Sequence, residues 1–373
     1  MARNAAALLL AALVACVTSP ATAQHIDPRA GVEIGGVESD DAYQLHRVIG
    51  VRFLGHGGIV VGEAGAARLR LYDAAGRHLR DVGGRGGGPA ELRELLAFQV
   101  GATNTLLALD RNGSRLRFSA AGALLDRVPL DIPPLADATF NVVPWGVLPD
   151  GRVLLRGNER LFGAADGRRT QRFGVYVVEP EAGRADTTGV FAAVEVEMRD
   201  GMPWALAPPT ELLWAPGAEG TLWLGSGREY RLRRMTTGGR VVGQVLASPP
   251  RLPVGRADLA ELRRRMVARG ATPNDRRVIA EWVDGLPPAE QAPALRSFFT
   301  DGLGRLWVQA WERTANGGGR WTVYDAAGDR VFQVDAPPGL ELTDAGAGAV
   351  VGIRVDDLDR ERVQVHALVG TGG

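Results

Sequence analysis

Two acids in this sequence recur together with their surroundings. Glu63 and Asp110 stand 47 residues apart, each five residues before an arginine, Arg68 and Arg115. Aligning the two copies puts both acids at the end of a second strand, so equivalent acids would ring one mouth of a closed fold. Converging oxygens are what a hard divalent cation requires, and such a cation could assist a hydrolysis. The matching positions further along are Gly157, Ser226, Ala310 and Arg354, which leaves the ring incomplete. Each acid is expected to tie its own loop to the arginine five residues on. A divalent cation belongs only to the alternative reading, a metal-assisted hydrolase or lactonase.

Other chemistry is thinner still. His25, His46, His56, His78 and His366 show none of the short helical spacing from which zinc sites are often built. No G-x-S-x-G nucleophile motif occurs, and the one cysteine, Cys16, falls in an N-terminal apolar run. The glycines of residues 83–88 invite comparison with a phosphate cradle. Pro89 stands where a third glycine should fall, however, and the chain has no lysine to meet a phosphate, so a turn is expected there. No nucleophile, base and orienting group assemble from these residues. The expected role is non-catalytic: binding a ligand or a partner protein.

Arginine supplies the binding candidates. Residues 156–172 hold five Arg against Glu159 and Asp166, a net of +3. Residues 251–291 hold eight Arg against six acids, a net of +2. The first stretch reads as a long loop between strands at 153–156 and 174–179. The second reads as two helices, the first capped by Asp258 with Leu259, Leu262 and Met266 as its apolar stripe, the second opening at Pro273 or Asn274 and running to about Trp282. Strand order would place both on one face. Loops carried by a rigid scaffold are where binding concentrates, and an Arg fork suits a carboxylate or phosphate. Arg156, Arg160, Arg263 and Arg264 are therefore the expected lining of a pocket for an anionic small molecule or an envelope protein, with Trp311 as a stacking platform. The blander reading makes the arginines a solvated helix face and packs Trp311 away.

Elements that would position these residues repeat along the chain. Residues 57–82 contain three short apolar runs, and Arg68-Leu69-Arg70-Leu71 alternates with period two, the pattern of a strand with one wet face. The unit returns at 105–128, and the run Tyr-Asp-Ala-Ala-Gly of 72–76 recurs at 324–328. Self-similarity at a period of about 40–50 residues, with several strands per unit, signals a β-propeller. Counting units predicts six blades of four strands, with a small helical insert at 251–291 between the fourth and fifth. The last unit, 340–368, has three plausible strands. Residues 31–36 are expected to supply the fourth and close the ring, which removes an open sheet edge.

The 373 residues are 45% hydrophobic and 23% charged, as in a folded globular protein. Basic and acidic side chains balance at 43 each, so no bulk field points to nucleic acid or an acidic membrane surface. Residues 1–23 read as an export signal: Arg3, an apolar run over 5–15, then Ala21-Thr22-Ala23 before cleavage at Gln24. Leu13-Val14-Ala15-Cys16 also has lipobox spacing, in which Cys16 would be acylated and only 1–15 removed. Either way export to the periplasm or beyond is expected, with a linker at 24–30, a propeller over 31–370 and a monomeric state. Any membrane attachment would come through that lipid. The exported part has no cysteine and cannot be held by disulfides.

The pattern G-x-I-V-V-x-E at 57–63, R-L-R-L-Y-D-x-x-G at 68–76 and G-x-G-x-G-P-x-E-L at 84–92 resembles NHL-type six-bladed β-propellers. It is most similar to the exported bacterial six-bladed β-propeller family, whose function is uncharacterised. Residues 301–308 and 350–368 extend the likeness over nearly all of the exported chain. That family's bridge usually reads GPGEF; here it is Gly88-Pro89-Ala90-Glu91-Leu92. The resemblance implies fold and compartment and carries over no catalytic residues. Gluconolactonase-like propellers, which hold a divalent metal near the channel, are the basis of the hydrolase alternative.

Overall fold

The structure, a computed structural model, describes residues 24–36, 40–132, 140–268, 270, 272–312, 319–346, 348–356, 358 and 360–370. The export signal and Cys16 lie outside the described residues. Among the described residues the chain is mostly β and forms six antiparallel sheets. It begins with β1 (Gln24–Ile34), which is set aside until the end. The first sheet is β2 (Val48–Phe53), β3 (Ile59–Glu63), β4 (Arg68–Tyr72) and β5 (His78–Gly83). The second is β6 (Leu95–Val100), β7 (Leu106–Asp110), β8 (Ser114–Phe118) and β9 (Leu124–Pro129). The third has five strands: β10 (Phe140–Val147), β11 (Val153–Glu159), β12 (Gly167–Glu179), β13 (Arg184–Arg199) and β14 (Met202–Ala205). The fourth is β15 (Leu212–Pro216), β16 (Leu222–Ser226), β17 (Arg231–Met235) and β18 (Val241–Leu246).

Helices α1 (Arg256–Val267) and α2 (Pro273–Asp284) follow. Asp258 does cap α1, from inside the first turn, by accepting the Gly255 N–H at 2.8 Å. Thr272 caps α2 by accepting the Asp275 N–H at 3.1 Å, with Pro273 as its first residue. The fifth sheet is β19 (Leu295–Thr300), β20 (Leu306–Ala310), β21 (Arg320–Tyr324) and β22 (Arg330–Asp335). The sixth is β23 (Leu340–Gly346), β24 (Ala349–Val355) and β25 (Glu361–Gly370), and β1 completes it along β25 from Gln24↔Gly370 to Ile34↔Val363.

Core residues lie between sheets. Val60, Leu69 and Leu71 of the first pack with Leu95, Phe98, Leu106 and Leu116 of the second, and Trp223 and Leu232 of the fourth pack with Leu295, Phe298 and Leu306 of the fifth. Each sheet touches the next through its first strand, and β23 and β24 return to β2, so the series closes on itself. At the closing seam Ile34, Val351 and Val363 meet Val51, Val61 and Tyr72.

Three expectations need correction. The linker at 24–30 is strand: β1 starts at Gln24, and irregular register around Ala30 with Pro28 in the run hides its alternation. Proline is tolerated because β1 is an edge strand. The long loop at 157–173 is largely strand, since β11 runs on to Glu159 and β12 already starts at Gly167, its first residues pairing with the far end of β13 (Gly167↔Met198) as a tongue. Its strands carry polar residues on both faces, so no apolar period marks them. Arg68–Leu71 does not have a wet face. Arg70 is 0% exposed because its Nη1 donates to the carbonyls of Asp41 at 2.6 Å and Gln44 at 3.1 Å.

Candidate functional site

Glu63 and Asp110 end β3 and β7 as expected, but their oxygens are engaged. Glu63 is 2% exposed; it accepts the His46 N–H at 3.1 Å and Arg68 Nε at 3.0 Å, and lies 3.1 Å from Arg70 Nε. Burial pushes its carboxyl above the usual range despite Arg68. Asp110 accepts the N–H groups of Arg93 at 3.3 Å and Glu94 at 3.2 Å, and Arg127 Nη2 at 3.2 Å. Both acids tie loops. Arg115 is not the partner of Asp110; it pairs with Asp126 at 2.7 Å and with Glu181 of the third sheet at 2.6 Å. Among the described residues no three His, Cys, Asp or Glu side chains gather into a cluster suited to a metal ion.

The four candidate arginines do not converge. Arg263, on α1, is held by Asp284 of α2 at 2.9 Å, and Arg264, 72% exposed, by Glu261 at 2.7 Å. Arg160 is exposed where β11 gives way to the tongue's turn. None of the four lines the cleft of about 280 Å³ between the tongue and the insert.

Arg156 is different. It sits half-buried on β11 with its guanidinium carbon 5.6 Å from the Trp145 ring centre and 5.2 Å from that of Phe173. It makes no hydrogen bond or ion pair among the described residues, and its Nε is enclosed without a partner. Burial pushes its pKa down, with Glu211 acting the other way. Arg296, on β19, repeats the arrangement: half-buried, 5.9 Å from the ring centre of Trp311, and likewise without a hydrogen bond or ion pair among the described residues. Burial pushes its pKa down too, Arg265 adding to this and Glu341 and Glu261 opposing it. The sequence reading identified Arg156 and Trp311 but missed Arg296, Trp145 and Phe173. For Arg296 the available signal was an arginine in a first strand with Trp311 just beyond the second.

Contacts place α1 near Arg296. Arg265 of α1 reaches Glu341 of β23 at 3.4 Å. On the other side, Arg168 of the tongue donates to Glu290 at 2.7 Å and to the Pro288 carbonyl at 3.2 Å. The tongue thus touches the chain that follows α2.

No known family matches the sequence, and no curated protein matches it. Solved structures do. A member of the DUF4221 family from Bacteroides vulgatus is 10% identical over 94% of this chain and 99% of its own, with a TM-score of 0.54. A Bacteroides fragilis protein named as a candidate exported protein is 13% identical over 95% and 98%, with a TM-score of 0.49. The calcium-binding protein regucalcin from Agrobacterium tumefaciens is 13% identical over 88% and 93%, with a TM-score of 0.40. Such identities speak to fold alone, and at that level the chain resembles the exported bacterial β-propellers of uncharacterised function.

Proposed function

We propose that this chain is an exported six-bladed β-propeller, each sheet one blade, that acts as a non-catalytic binding module. Its helical insert covers one mouth, and there it takes an anionic small molecule or a carboxylated group of an envelope protein. The observation that carries this reading is the pair of half-buried guanidiniums, Arg156 and Arg296, each against aromatic rings and each without an acid in bonding distance among the described residues. A charge taken out of water without a partner is costly. A ligand carboxylate would supply the missing partner through charge-assisted bonds worth about 1.5–3 kcal/mol each. The rings offer a flat apolar surface beside the charge, which favours a ligand with an aromatic or planar body. Export rests on the signal at 1–23.

Thermal-shift screening of the purified protein against a panel of aromatic carboxylates tests this. Binders should raise the melting temperature of the wild type and not of the double variant Arg156→Ala, Arg296→Ala. Chelator-sensitive hydrolysis of a lactone by the same preparation, with no shift from any carboxylate, would favour the metal-assisted hydrolase instead.

A further inference from the structure

The cleft of about 280 Å³ between the tongue and the chain flanking the helices is walled by charged side chains, Arg168, Arg169 and Arg251 with Glu195 and Glu290. Both acids are engaged. Glu290 accepts Arg168 Nη1 at 2.7 Å, and Glu195 pairs with Arg228 at 3.4 Å. Two of the arginines are not met by acids. Arg169 donates Nε and Nη2 to the Ala165 carbonyl at 3.3 and 3.2 Å, which leaves Nη1. Arg251 makes no hydrogen bond or ion pair among the described residues. One belongs to β12 and the other to the stretch before α1, so two segments far apart in sequence each bring a spare guanidinium to one space.

We propose that this cleft is a second binding site, separate from the rim at Arg156 and Arg296, and that it takes a small aliphatic dicarboxylate. Two acceptor groups at the ends of one ligand answer two donors on opposite segments, and each planar fork matches a carboxylate. Inorganic phosphate carries all its acceptors on one centre and cannot set a separate group against each segment, as a dicarboxylate can. Arg168 already straps tongue to insert through Glu290. A ligand bridging Arg169 and Arg251 adds a second strap across the same gap.

Isothermal titration of the purified protein at low salt, where exposed charges are least screened, with succinate, adipate and inorganic phosphate tests the assignment. Succinate or adipate should bind more tightly than phosphate. The double variant Arg169→Ala, Arg251→Ala should lose about tenfold or more in affinity, the scale of a lost charged hydrogen bond. Two titration events, one lost in Arg169→Ala, Arg251→Ala and the other in Arg156→Ala, Arg296→Ala, would separate this site from the rim. Both cleft arginines are exposed, so the variant should fold, and Arg251→Gln alone should show a partial loss. The assignment is overturned if neither dicarboxylate binds the wild type, if phosphate binds more tightly than both, or if the cleft variant titrates like the wild type.

Discussion

Asp344 joins the last sheet to the first. Its Oδ2 accepts the Phe53 N–H of β2 at 2.8 Å, and its Oδ1 accepts the Ala345 N–H at 2.9 Å. Burial nevertheless pushes its pKa from 3.8 up to about 6, against the pull of Arg52 and both backbone donors, with Asp301 adding to the rise. A carboxyl that holds its proton more tightly in the folded chain adds stability at low pH. That contribution is whole below pH 3.8 and is lost as pH rises through about 6. Melting temperature should therefore fall over that window, and Asp344→Asn should shrink the fall. An undiminished fall in the variant would assign it to another buried carboxyl, with Glu63 the first to try. At this scale the sequence was legible where partners are near: Glu63 and Arg68, five residues apart, do pair. It was not legible where register decides. Arg127 reaches Asp110 from β9, and Arg115 crosses to Glu181 of the next sheet, pairings that no local spacing encodes.

Strands with an apolar face were readable in sequence, and those without one were not. β2, β6 and β19 alternate or run apolar. The tongue and the first half of β1 are polar or interrupted, and both were read as irregular chain. β1 matters to stability because it covers β25 from Val363 to Gly370. Deleting residues 25–37 should uncover that edge and lower the melting temperature by several degrees, on the order of 1–2 kcal/mol for a chain of this size, or cause aggregation. A melting transition identical to the wild type would make the strand a dispensable tether. The starts of α1 and α2 lie close to Asp258 and Pro273, where the sequence signals them. What the insert meets was not readable, because Arg265–Glu341 and Arg168–Glu290 span 76 and 122 residues.

At the scale of the whole molecule, the repeat made the ring of sheets visible, since Tyr72–Gly76 and 324–328 are the same turn in the first and fifth sheets. The net charge of zero conceals how charge is spent. Most arginines on the helix-bearing face neutralise acids beside them, and counting residues could not separate those from the few that do not. Arg156 and Arg296 stand out only once the rings, the acids and the burial around them are known. They carry the central claim, that this mouth binds an anion. Native mass spectrometry of the protein purified gently from the cell envelope tests it most directly. The wild type should carry an anionic small-molecule adduct that is released by high salt and absent from Arg156→Ala, Arg296→Ala. A bare polypeptide mass for the wild type, or a bound divalent metal in place of the anion, would contradict it.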